Sequence, residues 1–150
     1  MRSRLMATCM AGAALAVFGM AFGPADGRAA AGDDVFGPLP ADTATLDAYK
    51  WQNRPVLLFA PGKDDSAYAE QMRIFETARA GLAEREVVVL SDTAPDVGGA
   101  LREAYGIDGF TMILVGKDGT MKLRDHAPIP AAELFARIDS MPMRRREMRE

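Results

Sequence analysis

The chain has 150 residues, with 18 Lys and Arg against 21 Asp and Glu, one histidine and one cysteine. That length holds one domain with a full core, and the acidic balance excludes general nucleic-acid binding, which needs a basic surface. A single cysteine excludes an internal disulfide, so stability has to come from packing.

The N-terminal stretch reads as a targeting signal. Met1-Arg-Ser-Arg4 is a short basic region, Leu5 to Phe22 carries no charge, and Ala29-Ala30-Ala31 fits the small-x-small cleavage rule. Residues 1–31 are expected to be a secretory signal peptide, with Ala25 as a second cleavage point and a permanent membrane anchor as the alternative. Gly12, Gly19, Gly23 and the Ala-rich cleavage region favour removal. Cys9 lies inside this segment, preceded by Met6-Ala7-Thr8 and not by a lipoprotein-type triplet. The mature chain is therefore expected to lack cysteine. Without Arg2, Arg4, Arg28 and Asp26 it keeps 15 basic and 20 acidic side chains, a net charge of −5.

Residues 32–45 are rich in Gly, Pro, Asp and Ala and read as a flexible leader. Leu46 to Tyr49 predicts one helical turn, and Trp51 is expected to pack at the sheet edge. Pro55 to Ala60 is an unbroken apolar run, the pattern of a strand buried on both faces. Pro61-Gly62 ends it, and Asp64, Asp65 or Ser66 can cap the helix that follows. Tyr68, Met72, Phe75 and Leu82 recur at helical spacing and predict a helix to about Arg85.

Glu86 to Leu90 predicts a second buried strand. A short helix bearing Leu101 and Tyr105 is expected to stop at Gly106. Phe110 to Gly116 predicts a third strand, and Lys117-Asp118-Gly119 a hairpin turn, with the Asp-Gly pair supplying positive φ. Thr120 to Arg124 alternates as a fourth strand with one wet face. Pro130 suits the first turn of a last helix with Leu134, Phe135, Ile138 and Met141 on its apolar face. The domain spans 46–141, and residues 142–150 form a charged tail or a short second helix. The order β-α-β-α-β-β-α predicts a single α/β domain, a mixed sheet flanked by helices.

That order, the strand Pro55–Ala60, the hairpin Val115–Gly119 and the ending Ile138-Asp-Ser-Met-Pro-Met-Arg-Arg-Arg-Glu-Met148 resemble the thioredoxin-like domain of unknown function 4174 (the P-DUDES group). The resemblance covers about Leu46 to Met148. It implies a thioredoxin-like fold, distant kinship with peroxiredoxins and thioredoxins, and a setting in small secreted bacterial proteins or vertebrate extracellular modules. A thioredoxin would place Cys-x-x-Cys at the start of the helix after the first strand, where the helix N-terminus lowers the thiol pKa. Those positions fall near Asp64 and Ala67. The usual cis-proline would fall near Phe110, beside Thr111. Neither chemistry-bearing feature is present, which argues against cysteine redox catalysis.

The expectation is therefore a non-catalytic binding or interaction module in the cell envelope. Its surface is sought on Pro61, Gly62, Lys63, Asp64 and Asp65 with nearby Phe110 and Thr111, by analogy with where related folds bind. Lys63 at a helix start could attract an anion, but Asp64 or Asp65 as ordinary caps would put negative charge there. Arg144, Arg145 and Arg146 form a basic cluster and a second candidate contact. The alternative is a cysteine-independent enzyme using Asp64, Asp65 or His126. Asp125-His126 lacks the further ligands of a metal site, and no nucleophile-elbow motif accompanies the serines. No catalytic residue, cofactor or metal is assigned. The partner is an unidentified protein or small molecule of the cell envelope, not nucleic acid, with membrane contact only through an uncleaved signal peptide.

Overall fold

A computed structural model describes residues 34–150. The expected signal peptide and Cys9 lie outside the described residues. The central strand, β2 (Arg54–Phe59), is buried along its whole length. It runs parallel to β3 (Val87–Asp92) and antiparallel to β4 (Thr111–Val115). β5 (Met121–Asp125) pairs antiparallel with β4, and β1 (Phe36–Pro38) pairs parallel with β3, giving the sheet order β1-β3-β2-β4-β5.

Side chains alternate across a strand, and β2 accordingly feeds two cores. Val56 and Leu58 face a cluster with Val89, Met112, Leu114, Phe75, Leu82, Leu134 and Ile138. That cluster is closed by α1 (Ser66–Thr77), α2 (Arg79–Glu84) and α4 (Ala131–Asp139). Leu57 and Phe59 face the other cluster with Leu90, Ile113, Val115, Leu39, Leu46 and Leu101. There the cover is α3 (Ala100–Ala104) and a 3₁₀ turn at Asp47–Tyr49. The result is three layers, helix–sheet–helix, ending in α5 (Pro142–Glu147).

Four details differ from the sequence reading. The segment read as a flexible leader contributes β1, because β3 offers an open edge that Val35 O and Leu39 N complete through Val89 N and Ser91 O. The long helix breaks at Ala78, where Thr77 Oγ1 donates to Arg73 O at 2.9 Å, a back-bond that bends helices. Trp51 does not pack at the sheet edge: its left-handed backbone (φ 66°) turns the chain into β2 and leaves the ring 69% exposed. In the hairpin only Gly119 has positive φ (79°), and its N–H donates to Gly116 O at 2.9 Å. The tail forms α5, one of the two outcomes anticipated for it.

Candidate functional site

The register sets Phe59 beside Asp92 on one side and Thr111 on the other. The loop after β2, the segment after β3, the segment before β4 and the turn after β5 therefore meet at one end of the sheet. In open α/β sheets the crevice outside the strand carboxyl ends is where ligands bind.

Asp65 is the N-cap of α1, its Oδ1 accepting the Tyr68 N–H at 2.9 Å. Pro61, Lys63 and Asp64 are exposed and Gly62 half-buried, so this part of the expected surface is accessible. Phe110 and Thr111 are not. Phe110 fills the core at the start of β4, and Thr111 is sealed within the central strands. Thr111 Oγ1 lies 3.3 Å from Nδ1 of the exposed His126. Asp125 does not orient that imidazole, because its Oδ1 accepts the backbone N–H groups of His126 and Ala127 at 2.8 and 3.2 Å. No hydrogen bond or ion pair links His126 to Asp64 or Asp65 among the described residues. Nor do three His, Cys, Asp or Glu side chains converge there to ligate a metal.

Sequence reasoning missed the group that organises this end. Arg102, 8% exposed, reaches under the loops from α3. Its Nε donates to Asp92 Oδ2 at 2.9 Å, and its Nη2 donates to Ala60 O at 3.0 Å and to Asp92 O at 2.9 Å. The guanidinium also lies 5.5 Å from the centre of the Phe59 ring, within cation–π range. Asp92 Oδ1 accepts the Ala94 N–H. The ends of β2 and β3 are thus tied to α3 by one buried ion pair. Its only advance sign was an acidic residue closing an apolar strand and an arginine beside the core residue Leu101. Above it opens a cleft of about 530 Å³ lined by Pro61, Pro95, Gly98, Arg102, Glu103 and the 106–109 segment.

Gln71 is a second residue the sequence did not single out. Fully buried in α1, it accepts the Ile129 N–H at 2.8 Å and donates to Ile129 O at 3.1 Å, clamping the β5–α4 connection.

The basic tail lies with the opposite end of the sheet, and its first arginine is not available for docking. Arg144 is 7% exposed. It donates to Glu84 Oε1 at 2.9 Å and Asp139 Oδ1 at 3.3 Å, while Arg85 holds Asp139 Oδ2 at 2.8 Å. Lys117 pairs with Glu86 and with Glu147. Arg145 and Arg146 remain exposed. The hydrogen bond from Arg85 holds the Asp139 carboxyl below the ordinary carboxylate range against the opposing effect of burial. At Glu147 burial pushes upward, but hydrogen bonds from Arg54 and Lys117 leave it lowered. These charges answer one another, so this end is a structural fastening.

Comparisons with known proteins agree with this architecture. The thioredoxin peroxidase I of Plasmodium yoelii superposes with a TM-score of 0.53 at 15% identity, over 69% of this chain and 79% of that one. The reduced 2-Cys peroxiredoxin of Plasmodium vivax gives 0.52 at 15% identity, over 69% and 84%. Thioredoxin-2, described as a component of malaria parasite protein secretion machinery, gives 0.50 at 21% identity, over 59% and 84%. These likenesses establish the fold. In sequence, the coiled-coil domain-containing protein 80 of Danio rerio is 30% identical over 134 residues, covering 69% of this chain and 15% of that protein. The chain thus spans about a seventh of the curated relative it matches. Residues 45–147 match the family model described as domain of unknown function (DUF4174), and the chain belongs to that family, built on a thioredoxin-like fold.

Proposed function

We propose that the chain is an exported thioredoxin-like module that binds a partner and turns over no substrate, with its working surface at the carboxyl ends of β2 and β3. The observation that carries this reading is the fate of the groups at the start of α1. The site where a thioredoxin would hold its thiols has Asp64 and Ala67, and residues 34–150 contain no cysteine. Asp65 is committed to capping Tyr68 N–H. Pro61, the first residue of the accessible loop Pro61 to Asp65, nonetheless lines the 530 Å³ cleft. An accessible cleft with no thiol beside it supports recognition over cysteine chemistry. A cysteine-independent enzyme would need Asp64, Asp65 and His126 to converge, and the separate engagements of Asp65 with Tyr68 and His126 with Thr111 favour binding. Export rests on the pattern of Met1 to Ala31.

The test uses the full chain in an exporting host. Sequencing of the processed N-terminus is expected to begin near Gly32, and an intact Met1 would overturn export. A photo-crosslinker replacing Asp64 is expected to trap one defined envelope partner that the same probe at Arg145 does not. Peroxide or disulfide reduction by the purified chain, or hydrolysis abolished by His126→Ala, would overturn the binding reading.

A further inference from the structure

Arg102 makes three hydrogen bonds, all through Nε and Nη2. Nη1 has no partner among the described residues, and Arg102, with its side chain 9% exposed, lines the cleft. Its charge is already matched by Asp92 at 2.9 Å. What it still offers are the two N–H donors of Nη1 on a largely buried side chain.

Two further lining residues, Glu103 and Asp108, are exposed carboxylates without an ion pair to any described residue. Arg124 donates to Tyr105 O at 2.9 Å, and neither it nor Lys63 lines the cleft. The lining therefore carries a neutralised Arg–Asp pair plus two uncompensated negative charges. An anion is disfavoured there, whereas a cation close to a neutral hydrogen-bond acceptor is favoured. Gly106 and Gly109 add to the opening: a Cβ at either would meet nothing within 4 Å. A backbone can approach those positions closely.

We propose that the cleft over Arg102 seats an extended segment of a partner protein bearing a Lys or Arg side chain. The cationic end lies against Glu103 and Asp108, and a backbone carbonyl of the segment accepts from Arg102 Nη1. A basic residue in a peptide carries both groups a few bonds apart. The volume lies within the range of about 300–1,000 Å³ typical of ligand pockets. This inference rests on the binding reading above and adds the chemistry of what is bound.

The test is an NMR titration of the full processed chain with the capped peptide Ala-Lys-Gly-Arg-Ala, the capped peptide Ala-Glu-Gly-Glu-Ala, and spermidine. The basic peptide is expected to shift the amides of Gly98, Glu103, Asp108 and Gly109 and the Arg102 side-chain N–H signals. The acidic peptide is expected to leave them in place. Spermidine, which lacks the carbonyl, is expected to move the Glu103 and Asp108 signals without moving those of Arg102. Removing two exposed charge pairs with Glu103→Gln and Asp108→Asn together is expected to weaken peptide binding about tenfold, with an unchanged spectrum elsewhere. Added salt should weaken it further. Equal binding of both peptides, an Arg102 response to spermidine, or wild-type affinity in the double variant would overturn the proposal. So would concentration-dependent shifts of these amides without peptide, which would mark the cleft as a contact between copies. If the Asp64 crosslink still traps its partner in the double variant, the basic-segment inference fails and the binding reading stands. If Asp64 traps nothing, the binding reading fails as well.

Discussion

Arg54 Nη2 donates to Glu147 Oε1 at 2.9 Å, joining the first residue of the central strand to the last residue of α5 across 93 positions of sequence. Arg54 is 1% exposed, and its Nη1 donates to Arg85 O at 2.8 Å. A helix reading as a charged tail thus closes the base of the sheet. The most specific part of the family resemblance, the ending with three arginines and a glutamate, is accounted for by this fastening.

Removing Glu147 leaves Arg54 buried with its Nη2 unpaired and Lys117 without one of its two carboxylates. Breaking a buried pair from one side costs about 3–5 kcal/mol, and the partial exposure of Glu147 reduces that to about 2–3 kcal/mol. We expect Glu147→Ala to lower the urea midpoint accordingly, while Arg146→Ala stays within about 0.5 kcal/mol of wild type. Equal effects of the two variants would mean that the helix is a solvated tail.

Acid should loosen the same region. The Asp139 and Glu147 carboxyls are lowered from ordinary values of 3.8 and 4.5, and Lys122 hydrogen-bonded to Asp118 lowers that carboxyl to about 2. A lowered folded-state pKa means that the unfolded chain binds the proton first. The stabilisation is therefore complete above the ordinary values and is lost as pH falls through the folded ones. Unfolding free energy should be flat in these groups down to about pH 5 and decline below it. An NMR titration should find Asp118 near 2, moving toward 3.8 in Lys122→Met. A midpoint already at 3.8 in wild type would contradict the contact.

At the opposite end, Arg102→Met should be among the most costly single changes. It strands the Asp92 carboxylate, itself buried, and removes the donor shared by Ala60 O and Asp92 O. The expected loss is about 3–5 kcal/mol. Arg102→Lys should recover little, because one ammonium cannot serve both the carboxylate and two carbonyls in the planar geometry of a guanidinium. Thermal denaturation separates the cases: a lysine variant as stable as wild type would show that Arg102 acts only as a charge.

Gln71→Met keeps the volume but leaves the Ile129 N–H and C=O buried without partners. The expected cost is about 2–4 kcal/mol. Hydrogen exchange at Ile129 should accelerate beyond the change in global stability. An unchanged rate relative to global unfolding would mean that the clamp is not what orders the β5–α4 turn.

The sequence by itself determined the strands β2, β3 and β4, the hairpin at Gly119, a side-chain cap among Asp64, Asp65 and Ser66 and the α/β class. Each of these follows from a local cause: an apolar run or alternation that can only be buried one way, a backbone angle only glycine accepts readily, a side chain that reaches an amide three residues on. The position of the loop Pro61 to Asp65 was legible for the same reason, since it follows directly from where β2 ends.

Tertiary structure decided what depends on distant partners. Phe36-Gly-Pro38 has no periodicity of its own and becomes a strand only because β3 presents an open edge. Arg54, Arg102 and Arg144 would be placed outside by any hydropathy pattern. They lie inside because their carboxylates and carbonyls arrive from positions 93, 42 and 60 residues away. Phe110 and Thr111 moved the other way, from expected surface to core, once the register against β2 was set. A charged side chain is buried only when its counter-charge is already waiting, and that arrangement is a property of the folded chain.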